Sequence, residues 1–287
     1  MENYRKIDLS AWTKFGEGGN GVTYVSLDEP DVILKVNKPA LSTLEFVKHE
    51  FDVSKAVEAL GIPIPKVYEI VRVGDAYATI SERVKSKKSL SRICCDEPAL
   101  TEAMAEVLCE HGKILFGTQC NTDMFPNRRE QLMRALNKLQ FVGKKKRHIL
   151  KEFARTIEDK TTCVHGDFQT GNIIRSGEGY FWIDLDRFGY GNPMFDIGHL
   201  FLICNVYAPM KQVQEIFHMG EAQLRSFWVA FARAYTGEED CSAFDHLAGK
   251  FACLDIVLRY EFQKPSLAEK LFFAFHISHL IKRYYLG

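Results

Sequence analysis

The sequence shows neither an excess of charge of one sign nor a long apolar run. Lys+Arg and Asp+Glu both number 37, so the formal net charge is zero. A broad electrostatic attraction to nucleic acid or to anionic lipid is therefore not indicated. No apolar run approaches the ~20 residues that a membrane-spanning helix needs, and the polar N-terminal residues are not followed by the apolar core of a secretory signal. We expect a cytoplasmic protein without nucleic-acid or membrane partners.

Cysteine pairs with metal-binding spacing are also missing. None of the eight cysteines belongs to a Cys-x-x-Cys sequence, and most lie within apolar patterns. Reduced cysteines in the protein core are therefore favoured over a zinc site or a disulfide framework. With 287 residues, of which 46% are hydrophobic, the chain is long enough for two modest domains with ordinary cores.

The most informative stretch covers residues 163–186, where two short apolar runs flank a turn that contains glycine. This pattern predicts a β-hairpin. Asp167 and Asn172 precede the hairpin, and Asp184 and Asp186 follow it, so one end of the ribbon would carry acids and an amide. Phosphoryl transfer uses such a set, because one carboxylate orients the attacking hydroxyl while a carboxylate and an amide oxygen hold Mg²⁺. Asp and Asn also cap ordinary turns, so the stretch needs support from the rest of the chain.

The sequence motifs of this stretch resemble those of a known enzyme family. The His-Gly-Asp sequence at 165–167, Asn172 five residues after its acid, and the Ile-Asp pair at 183–184 are similar to the motifs of aminoglycoside phosphotransferases and choline kinases, which are relatives of the protein kinases. The resemblance implies that Asp167 is the catalytic base and that Asn172 and Asp184 are ligands of Mg²⁺.

Three further polar residues are expected to support this loop. His165 is interpreted as an internal hydrogen-bonding scaffold rather than a base. Asp186 could reach metal or substrate, although a role in a turn or behind the metal ligands is favoured. Asp196 begins an apolar helix and is expected to cap it, and the resemblance adds that it braces the catalytic loop through hydrogen bonds.

A glycine-rich segment near the N-terminus predicts a flap over the nucleotide phosphates. Gly16, Gly18 and Gly21 match the pattern G-x-G-x-x-G. The residues after Gly21 are β-branched and aromatic, which is typical of a strand and not of the helix that a dinucleotide-binding loop would open. Kinases fold such a strand–loop–strand unit over ATP, although a plain hairpin turn fits the same residues.

Two charged residues upstream lie in otherwise apolar patterns and are expected to form an ion pair. Lys35 lies among aliphatic residues of a predicted strand, and Glu50 is the one acid on the apolar stripe of the next helix. A capping box of Ser42 and Glu45 is expected to begin that helix. Pairing with Glu50 would hold Lys35 towards the α- and β-phosphates of the nucleotide.

The predicted fold is α+β and bilobal, like that of the protein kinases. Residues 1–83 form the nucleotide-binding lobe, with a five-stranded antiparallel sheet and one helix, and residues 84–287 form a mostly helical catalytic and substrate-binding lobe. Glu82 and Val84 lie in the expected hinge, where backbone groups meet the adenine of ATP, or the guanine of GTP in its place. Acids late in the chain, among them Asp255, are interpreted as parts of solvated faces.

Three features separate the sequence from regulated protein kinases. Asp184 is not followed by Phe-Gly, and Gly166 stands where those enzymes have the arginine of His-Arg-Asp. Only eleven residues separate Asp184 from Asp196, which is too few for a phosphorylatable activation loop. We therefore expect an ATP-dependent phosphotransferase that uses Mg²⁺ and acts on a hydroxyl of a small molecule, such as an aminoglycoside or a choline-like metabolite.

Two alternatives remain. A non-catalytic nucleotide-binding module could signal through its ATP-loaded shape, and a protein kinase would transfer the phosphoryl group to a polypeptide. The acceptor itself and the oligomeric state are not indicated by the sequence, since fold does not fix substrate.

Overall fold

The computed structural model describes residues 4–17, 21–177, 179–262 and 265–286. The chain forms two compact units, each assembled from two stretches of sequence. Unit 1 comprises the described residues up to Lys88 together with Ile173–Asp186, and unit 2 comprises Ser89–Asn172 together with the described residues from Arg187 onwards. The α+β class is confirmed. The assignment of residues 1–83 to nucleotide binding and of 84–287 to catalysis stays a prediction.

Unit 1 contains the predicted five-stranded antiparallel sheet. Its strands, in the spatial order β1-β2-β3-β5-β4, are antiparallel throughout. They are β1 (Trp12–Glu17), β2 (Gly21–Ser26), β3 (Val32–Asn37), β4 (Val67–Val73) and β5 (Ala76–Glu82). A buried apolar cluster on one face includes Leu34, Val71, Ala78 and Ile80. Since side chains alternate between faces along a strand, Leu34 enters this core while Lys35 projects from the other face.

Helix α1 (Leu44–Ala59) packs against β4 and β5. The predicted capping box at Ser42 is wrong by one residue, because the Thr43 side chain accepts the hydrogen bond from the backbone N–H of Phe46. Ser42 instead donates its hydroxyl to the Pro39 carbonyl oxygen. Adjacent Ser and Thr are both good N-cap residues, and the turn at Pro39–Leu41 decides which one takes the position.

The hairpin predicted within residues 163–186 is confirmed. Strands β8 (Ile173–Ser176) and β9 (Gly179–Trp182) pair antiparallel, from Ile173 opposite Trp182 to Ser176 opposite Gly179. The backbone N–H of Trp182 donates to the Pro63 carbonyl oxygen at 2.8 Å, within unit 1. This bond ties the hairpin, which ends just before Asp184, to the segment that follows α1.

Unit 2 is mostly helical. The short strands β7 (Cys163–Val164) and β10 (Gly189–Tyr190) pair antiparallel beside the loop that carries Asp167. The division of the chain into units falls within the sequence of β6 (Lys88–Ser89). The helices are α2 (Leu90–Asp96), α3 (Thr101–Gly117), α4 (Arg128–Lys138), α5 (Lys144–Thr156), α6 (Met194–Phe201), α7 (Lys211–Phe217), α8 (Glu221–Thr236), α9 (Ser242–Phe262) and α10 (Leu267–Tyr284). A π-helical turn at Leu202–Val206 continues α6. Among the described residues, no helix combines the length and apolar character needed to cross a bilayer.

Helices α6 and α9 approach closely at Gly198. A Cβ added to Gly198 would lie 2.4 Å from the Phe251 Cβ and 2.9 Å from the Ala252 backbone nitrogen. The clash involves backbone and Cβ atoms that cannot swing away, so we expect Gly198→Ala to lower the free energy of unfolding by about 2–3 kcal/mol. Denaturant titration followed by circular dichroism measures this loss. Gly117→Ala is the matched control, because nothing lies within 4 Å of that added Cβ, and it should be neutral or slightly stabilising.

Candidate active site

In unit 1 the structure brings Lys35 and Glu50 together. The Lys35 Nζ lies 3.1 Å from the Glu50 Oε1 and 3.4 Å from its Oε2. Asn37, two residues along the same face of β3, also donates to the Glu50 Oε2 at 3.1 Å. Both partners of the ion pair are half-buried, so Glu50 is fixed from two sides. Asn37 was not predicted as a site residue, although its position two residues after Lys35 on the same strand indicates that the two side chains share a face.

Strands flank the glycine-rich segment on both sides, as predicted, and this excludes the helix of a dinucleotide-binding loop. Gly16 lies in β1 opposite Thr23 of β2. A Cβ added to Gly21 would lie 2.3 Å from the Val36 carbonyl oxygen, so the backbones of β2 and β3 approach more closely there than any side chain allows. Gly18, the middle glycine of the pattern, lies outside the described residues.

Glu82 and Val84, the residues predicted to lie in a hinge, differ in their contacts. Glu82 ends β5, and its carboxylate accepts a hydrogen bond from the Lys66 backbone N–H at 2.9 Å. This side chain therefore secures the start of β4, and its link to adenine stays a prediction. Val84 follows β5 and is partly buried.

In unit 2 the loop after β7 holds Asp167 through several hydrogen bonds. The Asn172 Nδ2 donates to the Asp167 carbonyl oxygen at 2.9 Å and to its Oδ2 at 2.8 Å. The backbone N–H of Asp167 donates to the His165 Nδ1 at 3.3 Å, which fits the scaffold role expected of that buried histidine. Both contacts between Asn172 and Asp167 use the Nδ2 of Asn172, so its amide oxygen does not contact Asp167.

Asp196 braces the same loop. Its Oδ2 and Oδ1 accept hydrogen bonds from the backbone N–H groups of His165, at 2.6 Å, and Gly166, at 2.8 Å. The expectation that Asp196 caps α6 is wrong, because the helix begins at Met194 and Asp196 lies in its first turn. Pro193 at the N-cap position presets the helical backbone, which releases Asp196 for the loop. Burial raises the pKa of Asp196 to about 6, against the opposing charge of Arg128 and the two backbone hydrogen bonds.

A histidine that was not predicted as a site residue contacts the predicted base. His199 Nε2 lies 2.9 Å from the Asp167 Oδ1, and His199 Nδ1 lies 2.9 Å from the Asp255 Oδ2. The interpretation of Asp255 as part of a solvated face is wrong, since only 8% of its surface is exposed and Arg259 also contacts it. A lone histidine in the apolar run of α6 was the available signal.

These contacts set the charges of the cluster. Burial alone would lower the pKa of His199, but the carboxylates of Asp255 and Asp167 outweigh it and raise the pKa to about 9. Burial alone would raise the pKa of Asp167, yet the hydrogen bond and charge of His199 hold it well below its usual range. The pKa of Asp255 is likewise lowered, mainly by His199 against the effect of burial. At neutral pH the cluster therefore holds two carboxylates and two cations, Arg259 being the second.

The raised pKa of His199 predicts a loss of stability in mild alkali. A protonated group favoured by folding contributes fully below its unfolded pKa, near 6.5, and its contribution disappears as the pH rises through about 9. We expect the free energy of unfolding to fall by on the order of 1–3 kcal/mol across this window. Urea titrations at several pH values measure it. His199→Asn should remove this slope, whereas His246→Asn, at an exposed position of α9, should retain it.

The acids after the hairpin lie in unit 1. Asp184 is exposed and has a left-handed φ of +64°, a conformation that costs energy for a residue other than glycine and often marks functional sites. Asp186 is also exposed. Carboxylate and amide oxygens are the ligands that Mg²⁺ prefers, so the Asp184 carboxylate in unit 1 and the Asn172 amide oxygen in unit 2 are each of a type that binds this ion.

Comparison with known proteins identifies the family of the chain. The model of a family described as phosphotransferase enzymes (APH) matches residues 12–240. No curated protein matches the chain.

Several solved structures share the fold. A choline/ethanolamine kinase family protein from Mesorhizobium loti is 14% identical, covers 94% of this chain and 88% of its own, and has a TM-score of 0.58. A thermostable mutant of the aminoglycoside phosphotransferase APH(4)-Ia, bound to AMP-PNP and hygromycin B, is 14% identical, covers 95% and 94%, and has a TM-score of 0.63. The amicoumacin kinase hAmiN is 15% identical, covers 98% and 90%, and has a TM-score of 0.54.

Proposed function

This chain belongs to the phosphotransferase enzyme family, and we propose that it transfers the γ-phosphoryl group of ATP to a hydroxyl of a small molecule. The observation that carries the proposal is the Asp167 carboxylate, which is oriented by Asn172 on one oxygen and by His199 on the other. An acid fixed in this way is suited to align an incoming hydroxyl. Kinases obtain most of their acceleration from positioning and charge stabilisation.

The proposed reaction conserves atoms and charge. The acceptor hydroxyl donates a hydrogen bond to Asp167, and its oxygen forms a bond to the γ-phosphorus. The bond from that phosphorus to the β,γ-bridging oxygen breaks, and ADP leaves. The hydroxyl proton passes to Asp167 as the transfer completes. Because the pKa of Asp167 is held low, we expect it to act more by orientation than by strength as a base.

Unit 1 would bind the nucleotide. We propose that Lys35, fixed by Glu50 and indirectly by Asn37, neutralises the phosphates that are not transferred. Gly16 and Gly21 would let the β1–β2 backbone lie over the phosphates. We propose the same role for Gly18, which lies outside the described residues. Glu82 and Val84 would place backbone groups at the adenine, and GTP could take the place of ATP.

Asn172 and Asp184 would hold Mg²⁺, which supplies positive charge to the phosphates when it is bound. Asp186 would support Asp184 from the same end of the hairpin. Replacing Asp184 by Asn removes one ligand charge, so we expect the Mg²⁺ concentration for half-maximal rate to rise by about 10- to 100-fold. A magnesium titration of the ATP-dependent rate measures this shift. Asp75→Asn, at an exposed acid in the turn between β4 and β5, should leave the titration unchanged.

The family and the neighbours in fold support a proposal for the class of acceptor. Those neighbours include proteins described as bound to hygromycin B and amicoumacin, and another from a choline/ethanolamine kinase family. We propose an aminoglycoside-like or amino-alcohol acceptor for this chain.

An acceptor panel tests the proposed function. ADP release from Mg·ATP would be measured with aminoglycosides, amino alcohols, amino acids, sugars, nucleosides and a polypeptide substrate, using Asp167→Asn as the blank. We expect release that depends on Asp167 with one class of small molecule. Release with the polypeptide alone would indicate a protein kinase. Binding of Mg·ATP without turnover of any acceptor would favour a non-catalytic signalling module.

A further inference from the structure

A line of four buried or half-buried charged groups runs behind the proposed base. Arg259 of α9 contacts Asp255 one turn earlier, with its Nε 3.4 Å from the Oδ2. Asp255 contacts His199 of α6, and His199 contacts Asp167 in the loop after β7. The side chain of His199 is only 3% exposed. Two helices and a loop, separated by up to 92 positions in the chain, thus meet at one imidazole ring.

The contacts of the ring define its protonation state. Each ring nitrogen lies 2.9 Å from an oxygen of an ionised carboxylate, and such an oxygen can only accept a hydrogen bond. With the pKa of both carboxylates lowered, these contacts favour a proton on each ring nitrogen, which makes His199 an imidazolium ion. The Arg259 guanidinium also lies 3.5 Å from the His199 Nδ1. Asp255, shared by both cations, keeps this approach of like charges favourable.

We propose that His199, held by Asp255, is a positioning residue that locks the Asp167 carboxylate in its reactive orientation. This inference rests on the proposed function. His199 fixes Oδ1 of Asp167 while Asn172 fixes Oδ2, so rotation of the carboxylate about its Cβ–Cγ bond would break both contacts. Since His199 already carries two ring protons, it does not receive the proton of the acceptor.

Stability alone does not explain this arrangement. Burial of four charged groups costs desolvation energy, and well-packed apolar residues of the same size are often as stabilising or more so. Asp196 and Arg187 contribute further charge to the surroundings. The desolvation energy of these groups is explained if the orientation of Asp167 matters for the reaction.

Kinetics of four variants test the positioning role. With the acceptor identified by the panel, we expect His199→Asn and Asp255→Asn each to lower kcat by about 10- to 100-fold. The KM for ATP should stay within about twofold, because Lys35 and Glu50 lie in the other unit. The double variant should be no slower than His199→Asn, because residues acting through one chain of contacts are not additive. His246→Asn on the exposed side of α9 should match the unmodified chain.

A spectroscopic measurement decides the protonation state without any turnover. In the ¹⁵N-labelled 287-residue chain at pH 7.5, the ring nitrogens of His199 should both show chemical shifts and attached protons typical of imidazolium. Asp255→Asn should convert the ring towards its neutral form. A neutral ring in the unmodified protein overturns the proposal, even if no acceptor is found.

The kcat measurements can also contradict the positioning role of His199. A kcat for His199→Asn within about twofold of the unmodified chain, or additive losses in the double variant, would also overturn the positioning role. If His199→Asn does not fold, as judged by circular dichroism, His199→Gln and Asp255→Asn carry the same test. Failure of the whole panel would remove the proposed function, and the nitrogen spectra would still decide whether His199 is the cation described.

Discussion

Replacing Asp167 by Asn is expected to lower kcat by about 10²- to 10⁴-fold, the range that a positioned general base contributes. Asparagine has the same shape but does not accept the proton of the acceptor hydroxyl. Its amide also places a donor opposite either Asn172 or His199, both of which donate to Asp167. The affinity for a non-hydrolysable ATP analogue should change by less than about threefold. Initial rates with saturating acceptor, and calorimetric titration with the analogue, measure the two quantities.

Asp123→Asn is the matched control for Asp167→Asn. Asp123 is an exposed acid of the same unit, so the same change of one oxygen to nitrogen should leave kcat unaltered there. Turnover by Asp167→Asn at more than a tenth of the normal rate would show that another group receives the proton. A parallel loss of nucleotide binding would instead indicate that the substitution has damaged the fold.

Replacing Asp196 by Asn is expected to lower the free energy of unfolding by about 2–4 kcal/mol. Each oxygen of Asp196 accepts one backbone N–H, from His165 or Gly166, at a site that is 1% exposed. The asparagine side chain has one oxygen and one NH₂ group. One of the two buried backbone N–H groups therefore loses its acceptor and lies against the NH₂ group, which is also a donor. Loosening of the loop should also reduce kcat. Urea titration and initial rates measure the two effects.

An exposed acid with the same type of contact provides the comparison for Asp196. Asp240 accepts the backbone N–H of Ser242 at 2.9 Å from a solvated position, where water can replace the lost bond. Asp240→Asn should therefore cost at most about 0.5 kcal/mol. Equal losses at Asp240 and Asp196 would contradict the bracing role. Full stability of Asp196→Asn would contradict it as well.

Features that depend on local pattern were predictable from sequence. The β8–β9 hairpin follows from two apolar runs around a turn, and the pairing of Lys35 with Glu50 follows from charges placed on otherwise apolar faces. In both cases the signal lies within about 15 residues of chain, where periodicity determines which side chains share a face.

Features that depend on distant packing were not predictable. His199 and Asp255 are 56 residues apart, and they lie on α6 and α9, two helices that approach closely at Gly198. Without that packing, a single histidine in an apolar helix looks like an ordinary core residue. The start of α6 was also misplaced, because Asp196 has the residue type of a cap while Pro193 takes the position.

Transfer of labelled phosphate tests the central claim most directly. The unmodified chain and Asp167→Asn would be incubated with γ-³²P-ATP, Mg²⁺ and the acceptor that releases most ADP in the panel, and the products separated by chromatography. We predict label on the small molecule with the unmodified chain and none with Asp167→Asn. Label found only as inorganic phosphate, or equal labelling of the acceptor by both proteins, would contradict an Asp167-dependent phosphotransferase.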